Sequence, residues 1–204
     1  MQEFFIRTIY SLKQNPMLVY LFTILNSFLQ IFFPPYPGDT FIALLGYLSS
    51  QITKNGALLL IIALSSTIIS SIMLYLISFH YSERVLKNKY INNFFQINKI
   101  YLFEKWYDKF GAFAIILSKF IPGINSIVLI ASGVLKLRKI TAILAIILSS
   151  IIHNSMLFIV GRVTGNNVAV LNQLIKEYSS IILLFSLLIL IIYILILLVK
   201  GVRE

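Results

Sequence analysis

Residues 178–199, YSSIILLFSLLILIIYILILLV, run for 22 positions without a charged side chain. The hydrocarbon layer of a bilayer takes about 20 helical residues to cross. This stretch is therefore predicted to span a membrane, as are 56–79 (GALLLIIALSSTIISSIMLYLISF) and 139–160 (KITAILAIILSSIIHNSMLFIV). Three such segments in 204 residues that are 59% hydrophobic and only 12% charged define an integral membrane protein of one domain, 1–204. The segment 178–199 is aliphatic all round and is expected to face lipid. The other two carry Ser65, Ser66, Ser70 and Ser71, and Ser149, Ser150, Asn154 and Ser155, respectively. Small and hydroxyl residues let helices approach and hydrogen-bond, so these two spans are expected to line the interior.

Two further apolar regions are interrupted near their middles. Region 17–50 contains FFPPYPGDT at 32–40, and region 110–135 contains Pro122 and Gly123. Proline and glycine break helices, and lipid cannot hydrogen-bond the backbone groups that a break sets free. The arm from Thr40 to Ser50 and the arms on either side of Pro122 are each about 16–18 Å long as helix, roughly half a bilayer. Each region is thus expected to be a re-entrant helical hairpin whose tip lies in protein or beside a water-filled cavity. The breaks also repeat: Pro37–Gly38 precedes Asp39, Pro122–Gly123 precedes Asn125 and Ser126, and Gly46 and Gly133 follow at similar spacing. One full span separates the hairpins, which places them on opposite faces as inverted-topology repeats. Paired, proline- and glycine-interrupted segments of this kind point to a transporter's binding site. The expected fold is all-α: two opposed re-entrant hairpins, three spanning helices, and interfacial amphipathic helices in 1–16 and 80–109.

Lys and Arg number 17 against 7 acids, a formal net charge of +10. The basic residues sit mainly beside apolar segments, where they set orientation, so nucleic acid is not an expected partner. Arg84, Lys87, Lys89, Lys99, Lys105, Lys109, Lys136, Arg138, Lys200 and Arg203 fall on one side; Arg7, Lys13, Lys54, Arg162 and Lys176 fall on the other. The richer side is expected to be cytoplasmic, which puts the C-terminus and the second hairpin inside a bacterial inner membrane. No small-residue cleavage site follows the first apolar segment, so no removable signal peptide is expected. The chain has no cysteine, which excludes disulfides and thiolate metal sites. It also lacks HExxH, Walker and Ser/His/Asp patterns, so no catalytic residue, cofactor or metal is expected. Composition leaves homo-oligomerisation open.

FLQIFFPPYPGD at 28–39 resembles the first signature of the DedA family (VTT or SNARE-associated domain), which reads FLENxxPPxPGE or PGD. FEKWYDKFGAFAIILSKFIPGINSIVLIASGVLKL at 103–137 is similar to the second, whose kinked segment reads RFxPxxR. GRVTG at 161–165 resembles a family GYxxG, and the similarity covers about residues 20–166. The resemblance implies the opposed-hairpin fold. It also implies movement of phosphate-bearing lipids, undecaprenyl phosphate or phosphatidylethanolamine, between leaflets, with proton or other cation coupling. This chain departs from the pattern at Gln30, where the family has Glu, and at Lys119 and Asn125, where it has Arg; Asp39 keeps its acidic character.

Ionisable groups at membrane depth are a functional pointer. Lys119 is the candidate to bind a lipid phosphate, with Asp39 as its ion-pair partner. The backbone at Gly38 and Gly123, next to Pro37 and Pro122, offers amides for a headgroup, flanked by Gln30, Asn125 and Ser126. Asp39 and His153 are the candidates for a proton relay, with simple packing the competing explanation for His153. The functional expectation is an ATP-independent lipid transporter of flippase or scramblase type. The alternative is a proton-coupled transporter of a small solute.

Overall fold

The computed structural model describes residues 15–33, 36–51, 56–87, 100–121 and 123–164. All of these residues except Thr164 lie in one compact unit, Met1–Val163. Pro34, Pro35 and Pro122, the span expected at 178–199, most of the interfacial helix expected at 1–16 and the middle of the 80–109 segment lie outside the described residues.

Regular structure among the described residues is entirely helical: α1 (Pro16–Phe32), α2 (Gly38–Gln51), α3 (Gly56–His80), α4 (Ser82–Lys87), α5 (Ile100–Phe110), α6 (Phe113–Ser118), α7 (Asn125–Val134) and α8 (Lys139–Thr164). Two of these, α3 and α8, are long and apolar enough to cross a membrane. Their limits follow from the sequence. Gly56 opens α3, and α8 begins directly after the turn that closes α7.

That turn is a complete Schellman motif. The Leu137 N–H reaches the Ser132 carbonyl at 3.1 Å and the Lys136 N–H reaches Gly133 at 3.0 Å. Lys136 takes the left-handed position, φ 51°, that usually falls to glycine. Tyr75 of α3 then donates its hydroxyl to the Leu137 carbonyl at 2.9 Å, tying the α7–α8 turn to α3.

On α1 and α8 polar residues face inward and large apolar ones outward. On α1 the buried face is Val19, Thr23, Asn26, Ser27 and Ile31, whereas Met17, Leu18, Leu21 and Leu25 are exposed. On α8, Ser149, Ser150, His153 and Asn154 are buried, and Leu144, Leu148, Ile152 and Met156 face outward. Water would favour the reverse arrangement, because exposed apolar area costs about 25 cal/mol per Å². Lipid removes that cost and instead penalises exposed hydroxyls and amides. Ser66, Ser70 and Ser71 follow the expected inward orientation, but Ser65 is exposed on α3.

Residues α1 and α2 double back on each other. The rings of Phe22 and Phe41 lie 5.6 Å apart, edge to face; a continuous helix would hold them about 28 Å apart. The short α6 and α7 flank the second break, where Gly123 adopts φ 76°.

Each break region is locked by glycine contacts onto one of the two long helices. Gly46 of α2 sits against the Phe158 carbonyl of α8, and Gly161 of α8 sits against the Ala43 carbonyl of α2, each with no room for a Cβ. Likewise Gly133 of α7 lies on α3, where a Cβ would come within 2.8 Å of the Phe79 nitrogen. The second arm of each break region therefore docks on the long helix that follows the other one. Apolar packing fills the same seams: Val19, Ile42, Leu45, Leu59 and Phe158 in one cluster, and Tyr75, Ile115, Leu129, Ile130 and Ile146 in a larger one.

Candidate functional site

Asp39 lies in the first turn of α2, where the helix dipole favours a carboxylate. Its side chain is 46% exposed, and its Oδ1 is 3.3 Å from Nε2 of His153, which is only 7% exposed. The two are close enough for an ion pair, yet the approach is too bent for a hydrogen bond, so both ring nitrogens of His153 remain without a hydrogen-bond partner. The imidazole is fixed from the other side by Phe120, whose ring meets it edge-on at 4.9 Å and 89°. His153 thus touches both breaks: Asp39 at the first and Phe120 at the second.

Lys119 ends α6 and is 5% exposed. Among the described residues no carboxylate stands within ion-pair distance of its ammonium, and Asp39 contacts His153 instead. A buried ammonium without a close counter-charge is costly. It is also a natural receptor for an anion.

The remaining residues singled out from sequence fall around this core. Gly38 opens α2 and packs on the Gln30 side chain, which would collide with any Cβ there. Pro37 precedes it, with its carbonyl accepting from the Phe41 N–H at 3.5 Å. Asn125 and Ser126 form the first turn of α7, Ser126 being buried. Gly123 is exposed in the turn before them, and Pro122 lies outside the described residues.

A polar seam between α1, α3 and α8 joins Gln30, Ser66 and Asn154, singled out from sequence, to Asn26, Ser27, Tyr36 and Thr67, which were not. The Tyr36 hydroxyl donates to Asn26 Oδ1 at 2.9 Å. Gln30 Nε2 and Asn154 Nδ2 both donate to the Thr67 hydroxyl, at 3.3 and 3.0 Å. Ser66 and Thr67 reach the Ser27 hydroxyl at 2.8 and 3.3 Å. The signal for α1 was present, since Thr23, Asn26, Ser27 and Gln30 recur at helical spacing on one face. Among the described residues no three His, Cys, Asp or Glu side chains converge as a metal centre would require.

Comparison with known proteins places this arrangement. The family model for the VTT domain matches residues 36–163, from the first break almost to the end of α8. Two curated relatives, both called alkaline phosphatase-like protein, come from Lactococcus lactis subsp. cremoris (strain MG1363) and subsp. lactis (strain IL1403). Each is 24% identical over 156 residues, 74% of this chain and 72% of the relative. No solved structure matches the chain.

Proposed function

Because the chain belongs to the VTT-domain (DedA) family, whose members have a membrane transporter-like role, we propose that it moves a phosphate-bearing lipid between leaflets without ATP. The carrying observation is the buried Lys119 at the second break, together with His153, which meets the half-exposed Asp39 of the first break on one side and Phe120 of the second on the other. In this reading both breaks are re-entrant hairpins in a bacterial cytoplasmic membrane, with the C-terminus inside. Lys119 holds the headgroup phosphate while the acyl or prenyl tail stays in lipid. Asp39 offsets the lysine charge when no phosphate is bound, and it relays a proton through His153 when one enters.

Charge arithmetic supports the assignment. Asp39 and Lys119 cancel, so a monoanionic phosphate arriving with one proton on His153 leaves the site neutral. Such neutrality matters at membrane depth, where a net charge costs several kcal/mol.

The name of the lactococcal relatives raises a second reading, hydrolysis of a phosphate ester. One Asp, one His and one Lys could serve as base, acid and phosphate anchor.

The test is reconstitution of the purified chain into vesicles. Headgroup movement of undecaprenyl phosphate, phosphatidylethanolamine and phosphatidylglycerol is followed beside Asp39→Ala, with phosphate release and uptake of small solutes as parallel assays. Movement of one phospholipid class by the wild type alone supports transport. Phosphate release without movement establishes the second reading, solute uptake alone establishes the proton-coupled solute carrier, and no lipid movement rejects the proposal.

A further inference from the structure

The end of the molecule where α3 stops and α8 starts carries a basic rim that the proposed headgroup site does not use. Arg84 and Lys87 stand on α4, and Lys105 and Lys109 on α5, all exposed. Lys136, Arg138 and Lys139 mark the turn into α8 and are exposed as well. Against these stand three acids, Glu83, Glu104 and Asp108, so positive charge is in clear excess. At the opposite end, where Gly56 opens α3, the cation among the described residues is Arg162.

One apolar cluster draws the rim together. It takes Tyr75 from α3, Val85 from α4 and Phe103 from α5, and Leu135 and Leu137 of the α7–α8 turn pack against it. The inner edge of α5 is used up in this way: Phe103 is buried, and Tyr107 packs on the same cluster. Trp106 and Phe110, on the flank of the same helical stripe, remain exposed. Phe113 of α6 is exposed too and continues the apolar surface. The stripe is therefore wider than the seam it fills, as in a helix that lies in a membrane interface.

Three of the rim cations lie over aromatic rings. Lys139 Nζ is 4.7 Å from the centre of the Phe79 ring, Arg84 Cζ is 5.4 Å from that of Tyr81, and Lys109 Nζ is 5.2 Å from that of Phe110. Among the described residues none of the three has a carboxylate within ion-pair distance, whereas Lys87 meets Glu83 at 3.7 Å. A cation held over a ring lays its stem along apolar surface and keeps its charge uncompensated.

This combination selects the partner. A soluble polyanion would meet the charge but leave Trp106 and Phe110 facing water. A zwitterionic lipid would cover the rings without using the excess charge. An anionic phospholipid does both, with the rings at headgroup depth and the basic groups on its phosphate. Each Lys or Arg near an anionic surface adds roughly fivefold in affinity.

We propose that Arg84, Lys109 and Lys139, with Tyr81, Trp106 and Phe110, form a docking surface for anionic phospholipid of the surrounding leaflet, held at the rim and not moved. The surface lies apart from Lys119 and does not depend on the transport reading.

Trp106 is the only tryptophan of the chain, and it lies one turn from Lys109, so its fluorescence reports on the rim directly. The purified full chain is placed in mixed vesicles of phosphatidylcholine and phosphatidylglycerol, with dibrominated acyl chains on one lipid or the other at equal bromolipid fraction. Quenching should favour phosphatidylglycerol by roughly threefold or more and lose that preference in high salt. The triple variant Arg84→Gln, Lys109→Gln, Lys139→Gln should be quenched equally by both lipids, which shows that it is still inserted. The charge-keeping triple Arg84→Lys, Lys109→Arg, Lys139→Arg retains the preference, as does Arg162→Gln at the other end. Lys119→Met retains it too; a preference lost there would assign the lipid to the headgroup site and overturn the rim. Equal quenching of the wild type by both lipids overturns it as well, and so does a preference that survives the triple glutamine variant. A Trp106 signal that responds to RNA or an acidic peptide but not to brominated phosphatidylglycerol would give the surface to a soluble polyanion instead.

Discussion

Asp39 Oδ1 and His153 Nε2 stand 3.3 Å apart, joining the first turn of α2 to the middle of α8. The carboxylate is half open and the imidazole is buried, so the pair connects an accessible charge to a sheltered titratable ring. In the proposed cycle it passes a proton between solvent and the interior. Asp39→Asn and His153→Gln should therefore each abolish coupled headgroup movement. In a double-mutant cycle on thermal unfolding, their coupling should be modest, about 0.5–1 kcal/mol, since Asp39 is screened by solvent. Loss of movement in both variants with unchanged folding would separate a functional pair from a structural latch.

The glycine lock between α2 and α8 gives a stability prediction. Gly46→Leu and Gly161→Leu each force a side chain into a neighbouring backbone carbonyl. Overpacking at such a contact costs about 1–3 kcal/mol. Both variants should melt early in detergent, and the double variant should lose less than the sum, because the first separation of the helices makes room for the second side chain.

At the α7–α8 turn the prediction has the opposite sign. Lys136 carries φ 51° in a Schellman position; a left-handed L-residue costs about 1–2 kcal/mol, part of which glycine gives back as unfolded-chain entropy. Lys136→Gly should raise stability by about 0.5–1 kcal/mol, read as a higher melting temperature, with headgroup movement unchanged.

Much of this was legible in the sequence, for identifiable reasons. The limits of α3 and α8 could be read because long uncharged runs have few alternatives in lipid. Both break positions followed from proline and glycine chemistry, and the matching glycines Gly46 and Gly133 do occupy equivalent docking positions. The contact partner of Asp39 was legible only in part, through the relay role it shares with His153. Sequence patterning suggests Lys119 because opposite charges are sought first, but which face of α8 meets α2 is fixed by Gly46 and Gly161, and that rotation delivers His153. The polar seam was legible in part: Ser66 and Asn154 were expected to face inward and hydrogen-bond, but Ser27 and Thr67 were not singled out, and only packing shows that three helices bring these residues together.

The last prediction separates stability from function at Lys119. The residue is 5% exposed, and its ammonium has no carboxylate within ion-pair distance among the described residues. Burying such a charge weakens the fold, so replacing it with an apolar side chain of similar length should remove a cost of about 1 kcal/mol or more. Lys119→Met should therefore melt at the same or a higher temperature than wild type. It should also fail to move any phosphate-bearing lipid, because the anion loses the only buried lysine or arginine among the described residues. Lys119→Arg keeps the charge and adds a planar fork suited to phosphate, so it should retain movement. A Lys119→Met protein that is both less stable and fully active would mean the lysine serves the fold, and the phosphate would then have to be sought elsewhere.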